Sequence, residues 1–165
     1  MWLLGPSTIS VLVLFFLVTL ATPYAFCQSY EYVNIFDRRH TIEIDINNHR
    51  FSSRDLGGNA EFCEKIDPYI CIKSENFNFS VPRTRSAHVT HWTSRGSAYK
   101  LKESGVVVIF GQALKVSTIE SSQNGIAFRF LYSNEHGLVA FSAKAQSEES
   151  TFVSKTRLGF GNSSE

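Results

Sequence analysis

The sequence predicts an all-β, mainly antiparallel fold: a single-domain meander closing into a barrel or forming a sandwich, with one short helix. Three observations carry this. Ile42, Ile44 and Ile46 alternate with Glu43 and Asp45, the period of a strand with one face on a core and the other in water. Residues 105–161 fall into short runs of β-branched and aromatic residues. Asn124-Gly125 and Asn134-Glu135-His136-Gly137 separate those runs, so they read as strands joined by tight turns. Phe is the commonest aromatic, with 14 copies, and large flat side chains suit a half-buried pleated surface.

The chain opens on an export segment. Residues 1–29 carry no charged side chain, and residues 9–20 are almost wholly apolar. Ala21-Thr22-Pro23-Tyr24-Ala25-Phe26-Cys27 then supplies the Pro and small residues at which a signal peptide ends. Residues 1–27 are therefore expected to be a signal peptide, cleaved after Ala25 or after Cys27. Residues 28–165 remain as one β-rich domain, secreted or periplasmic, with no membrane span. Only the α-amino group is positive ahead of the apolar run, so the alternative is a signal anchor. The run is short for a span of about 20 residues. With Cys27 set aside, Cys63 and Cys71 form an even pair, which outside the cytosol is most simply one disulfide.

The elements follow in order. Residues 30–36 are expected as a first strand and 41–46 as a second. Asn47-Asn48 is a turn, and residues 49–51 are a short return strand. Residues 52–59, centred on Gly57-Gly58, read as a loop. Residues 60–66 are the expected helix, with Phe62 and Ile66 one turn apart on one face, Asn59 placed to cap it and Asp67-Pro68 to stop it. Residues 69–73 enter a strand to which the disulfide would pin that helix. Phe77, Phe79 and Val81 alternate with Asn78 and Ser80 in a half-buried strand closed by Pro82. Residues 82–98 are irregular and polar. The sheet restarts at 99–101 and runs into the meander, read as the hydrophobic centre. Residues 146–150 form an acidic break, 151–153 and 157–160 a last pair of strands, and 162–165 a frayed tail.

Tyr132-Ser133, Gly137-Leu138, Ala140-Phe141 and Gly159-Phe160-Gly161 form a pattern in the back half. In these residues the chain is similar to the C-terminal part of small uncharacterised exported bacterial proteins. The resemblance covers residues 132–161. It implies a bacterial envelope or secreted setting and carries no activity or functional residue.

The net charge is +1, so no global attraction draws the chain to nucleic acid, and any electrostatic partner needs a local patch. One candidate patch lies in the irregular middle. Arg83, Arg85, Arg95, Lys100 and Lys102 follow one another without an intervening acid, with His88, His91 and Trp92 among them. Arg offers a planar fork for carboxylate or phosphate, and Trp offers a face for a sugar or cation. Arg83, Arg85, His88, His91, Trp92 and Arg95 are thus the candidate binding residues, and an anionic protein or envelope polymer is the expected partner. The bland alternative is a solvated loop whose arginines pair with the acids of the preceding segment, Asp55, Glu61, Glu64, Asp67 and Glu75.

His88 and His91 are three residues apart, which on a strand puts them on opposite faces, and no third ligand stands near, so no metal is expected. There is no G-x-S-x-G and no phosphate-cradling glycine loop, so no cofactor is expected either. The expected function is therefore non-catalytic binding through the basic loop. The alternatives are an envelope-polymer hydrolase with His88 or His91 as general base, and a structural envelope protein.

Overall fold

Thirteen strands and no helix make up the described residues of the computed structural model, which are 28–54, 56–84 and 89–162, with the side chain of Leu56 excepted. The expected signal peptide, Arg85, His88 and residues 163–165 lie outside them. The strands are β1 (Ser29–Asn34), β2 (Thr41–Asp45), β3 (Arg50–Ser53), β4 (Leu56–Asn59), β5 (Glu61–Phe62), β6 (Tyr69–Lys73), β7 (Asn78–Pro82), β8 (His91–Ser94), β9 (Ser97–Ile109), β10 (Gln112–Gln123), β11 (Ile126–Ser133), β12 (Gly137–Ala145) and β13 (Glu148–Ser154).

Ten strands form one sheet in the order β4-β3-β2-β1-β13-β12-β11-β10-β9-β8, and every neighbouring pair is antiparallel. The first strand thus docks beside the last, with Val33 opposite Val153, and the N-terminal hairpins extend the meander. β5, β6 and β7 make a second sheet that covers one face of the first. Among the described residues β4 and β8 do not pair with each other, so the barrel the sequence allowed is open and the architecture is a sandwich.

The core between the sheets is aromatic. Phe77 and Phe79 of the small sheet and its approach meet Phe128, Phe130, Tyr132 and Phe141 of the large one, with ring centroids 5.0–6.0 Å apart. Offset and edge-on arrangements of this kind each contribute about 0.5–1.5 kcal/mol beyond the area they bury. Two tyrosines stitch the C-terminal segment onto the sheet. Tyr32 donates its hydroxyl to the Leu138 carbonyl (2.9 Å) and accepts from the Phe160 N–H (3.0 Å). Tyr132 donates to the Gly161 carbonyl (2.8 Å). Gly137 and Gly159 allow the close approach, because a Cβ at either would run into backbone oxygen of the other segment.

Within the stretch expected to be irregular, His91–Ser94 form β8 and β9 starts at Ser97, and four further expectations change. The helix over 60–66 is absent: Glu61–Phe62 is a strand, Phe62 pairs with Ile72, and the Cys63 N–H bonds the Cys71 carbonyl at 3.1 Å. A seven-residue helix gains too few hydrogen bonds to repay nucleation, and pairing with β6 satisfies the same groups. Ile66, which would have shared the helix face with Phe62, is 89% exposed. The second change is that Leu56–Asn59 forms a short edge strand where a loop was expected, and Asn59 pairs with Arg50 instead of capping. Third, residues 157–160 are irregular, while β13 begins at Glu148 inside the expected acidic break. Fourth, Asn162 is buried and bonds Tyr30 and Gly159, so the end of the described chain is anchored there and is not frayed. The expected disulfide is present: Cys63 and Cys71 are bonded with their Cα atoms 5.1 Å apart.

Candidate functional site

The described candidates of the irregular middle separate: Arg83 and Arg95 turn to the disulfide loop, and His91 and Trp92 take opposite faces of β8. Just past β7, Arg83 turns its guanidinium onto the disulfide loop, donating from Nε to the Asp67 carbonyl (3.1 Å) and from Nη2 to the Glu64 carbonyl (3.2 Å). Arg95, in the tight turn between β8 and β9, lies 3.7 Å from Glu61 and 3.8 Å from Asp67. The two arginines therefore meet around Asp67, and both engage the loop closed by Cys63 and Cys71. Trp92 packs inward, stacked on Tyr99 with centroids 5.6 Å apart, and its Nε1 donates to the Ser80 carbonyl at 3.3 Å. Burial pushes the Tyr99 phenol well above its ordinary pKa, so it stays neutral.

His91 alternates with Trp92 and faces the other way. Its Nδ1 lies 3.0 Å from the Thr90 hydroxyl, and among the described residues it has no carboxylate within ion-pairing distance. A hydroxyl beside an imidazole is the beginning of a nucleophilic pair, yet a working one needs a third group to orient the base and a site that sheds water. Thr90 and His91 are both exposed.

The face His91 joins is the outer surface of the large sheet, and a groove of about 530 Å³ crosses it from β8 to β13. Register sets its lining. Lys100 stands opposite His91 and Glu120, Arg129 opposite Glu120 and Ser142, and Lys144 opposite Ala127 and Glu149. On the same strands the alternate residues Tyr99, Phe128 and Phe141 point into the core. Small side chains, Ala98, Ser122, Ala127 and Ser142, floor the groove, and long ones rim it. A trough follows simply from rows of small residues flanked by rows of long ones.

Charge on the rim is uneven. Lys100, Arg129 and Lys144 face two carboxylates, Glu120 and Glu149. Glu120 is shared between Lys102 (3.5 Å) and Arg129 (3.7 Å). Lys100 and Lys144 have no ion pair among the described residues and are exposed. The groove thus presents ammonium donors to solvent above a floor of Ala and Ser side chains, an arrangement that takes carboxylate, sulfate or phosphate oxygens. No group of three or more His, Cys, Asp or Glu among the described residues is placed to hold a metal ion.

Of the described sequence candidates, only His91 and the flanking Lys100 reach this groove. Arg129 and Lys144 escaped notice because they stand singly within apolar strands. Listing the outward positions of each amphipathic strand would have found them. No family model, no curated protein and no solved structure matches the chain.

Proposed function

We propose that this protein is an exported, non-catalytic binding module that holds an anionic macromolecule, an acidic protein segment or an acidic envelope polymer, across the outer face of its large sheet. The observation that carries the reading is the groove itself, a trough across six strands in which Lys100 and Lys144 stand without ion pairs beside Arg129 and His91. An elongated trough with point charges along its rim suits an extended, repeating ligand better than a compact one. The charges are exposed, so attraction should be long-ranged and weaken as salt shortens the Debye length below about 10 Å. Export is supported by the apolar stretch at residues 9–20 and by the Cys63–Cys71 disulfide, a bond that persists in oxidising compartments. Among the described residues no helix is long and apolar enough to cross a membrane.

The test is retention of the disulfide-intact protein on immobilised polyglutamate and on polygalacturonate at low and high salt. Retention on either matrix, lost with added salt and lost in the Lys100→Glu/Lys144→Glu variant at unchanged melting temperature, supports the reading. A wild type that neither matrix retains, or a double variant retained like wild type, overturns it. Loss in Arg83→Ala/Arg95→Ala instead would move the site to the loop.

A further inference from the structure

The large sheet protects its two formal edges and leaves a third stretch open. β4 and β8 are each four residues long, and β4 contains Gly57-Gly58. Short edge strands of this kind discourage pairing with other chains. β9 has 13 residues, and β8 with Thr90 ahead of it covers only Ser97 to Leu101 of it. From Lys102 to Ile109, nothing among the described residues pairs with that side of the strand.

The exposed backbone there has a defined pattern. Ile109 and Gln112 are partners across a two-residue turn, and Phe110 and Gly111 have φ of 53° and 72°, the signature of a type I′ hairpin. Ile109 and Gln112 then form the hydrogen-bonded pair that closes the turn, and alternation makes Val107 and Gly105 bonded to β10 as well. The N–H and C=O groups of Val106 and Val108 therefore point away from the sheet, at an edge where the two valine side chains are 69% and 74% exposed. No charge and no Pro interrupts Gly105-Val106-Val107-Val108-Ile109-Phe110.

We infer that this edge pairs with the same edge of a second copy of the chain, in an antiparallel register centred on Val107. The segment is self-complementary in that register. Val106 falls opposite Val108 of the second copy, and each such pair exchanges both outward-pointing hydrogen bonds. The four valines then form one covered strip. Glu103 falls opposite Gly111 and Lys102 opposite Gln112, so no like charges oppose one another. A symmetric contact uses the same patch twice and closes at two chains. An exposed edge most readily adds another extended strand, and this edge is its own complement, which is why a second copy fits here and a compact partner does not.

Sedimentation equilibrium on the disulfide-intact protein tests this. The wild type is expected at the mass of two chains. Val106→Lys/Val108→Lys, which sets like charges opposite one another across the contact, should be monomeric with unchanged melting temperature at low concentration. Val106→Thr/Val108→Thr keeps shape and strand preference, and should raise the dimer dissociation constant by about tenfold or more. A wild type that stays monomeric at its highest soluble concentration, or a Lys variant that remains dimeric, overturns the inference.

Discussion

The two faces of the large sheet are made by the same strands, one residue apart, and they do opposite work. On β11, Phe128, Phe130 and Tyr132 point inward and are buried, while Ala127, Arg129 and Leu131 point outward. The inner row binds the sheets together through ring contacts; in the outer row Ala127 and Arg129 shape a groove and set its charge, and Leu131 packs on a small apolar cluster of Leu114, Val116 and Val139. Strand periodicity lets one segment satisfy both demands because each constrains alternate positions only. Across the groove, stability and recognition should therefore separate by parity, and substitutions on its two faces test that separation.

The largest effect should come from the inner face. Phe130→Ala removes a fully buried ring that contacts Phe77, Phe79 and Phe141, and should cost about 3–5 kcal/mol in urea unfolding. A loss below about 1 kcal/mol would break the comparison at its structural end. Replacing Cys63 and Cys71 by Ser opens a short loop and should cost about 2–3 kcal/mol on the chain-entropy model. Tyr32→Phe keeps the ring against Phe141 but leaves the Leu138 carbonyl and the Phe160 N–H without their partner, for about 1–3 kcal/mol.

The outer side should be quiet in stability. Arg129→Ala loses an exposed pair with Glu120 and should stay within about 0.5 kcal/mol of wild type while weakening retention on an anionic matrix. The smallest effect is one of pH. Asp45, the last residue of β2, accepts from the side chain and backbone of Asn48 at 2.7 and 3.0 Å, and these bonds hold its carboxyl below the usual pKa. A carboxylate favoured in the folded state stabilises above its unfolded pKa of about 3.9, and the contribution fades as pH falls through the lowered folded value. Wild type should thus lose more melting temperature than Asp45→Asn on acidification below about pH 4.

The sequence revealed the inner face more readily than the outer one. The alternation at Ile42, Ile44 and Ile46 and at Phe77, Phe79 and Val81 marked core positions; five of the six are buried and Ile46 is half-buried, while Ser80, expected on the polar side, is buried as well. The cysteine pair was legible from compartment logic alone. The valines of residues 106–108 misled, because β-branched residues specify a strand and say nothing of whether it is covered. Lys102 is an extra residue in the ladder between Leu101 and Glu103, and it shifts the inward parity of β9 from Tyr99 and Leu101 to Ser104, Val106 and Val108. A bulge of this kind leaves no mark in local composition. The groove was hidden for a related reason. Lys100, Arg129 and Lys144 are far apart in sequence and become neighbours only when register aligns β9, β11 and β12, whereas the contiguous basic loop stood out and the fold divides it between two faces.

The most direct test of the outer face as the recognition surface is an NMR titration of the disulfide-intact protein with polyglutamate. Shift changes should cluster at Ala98, Lys100, Ala127, Arg129, Ser142 and Lys144, the groove residues, and leave the Trp92 indole N–H unmoved. Changes confined to Arg83, Trp92 and Arg95, with the groove silent, would contradict it.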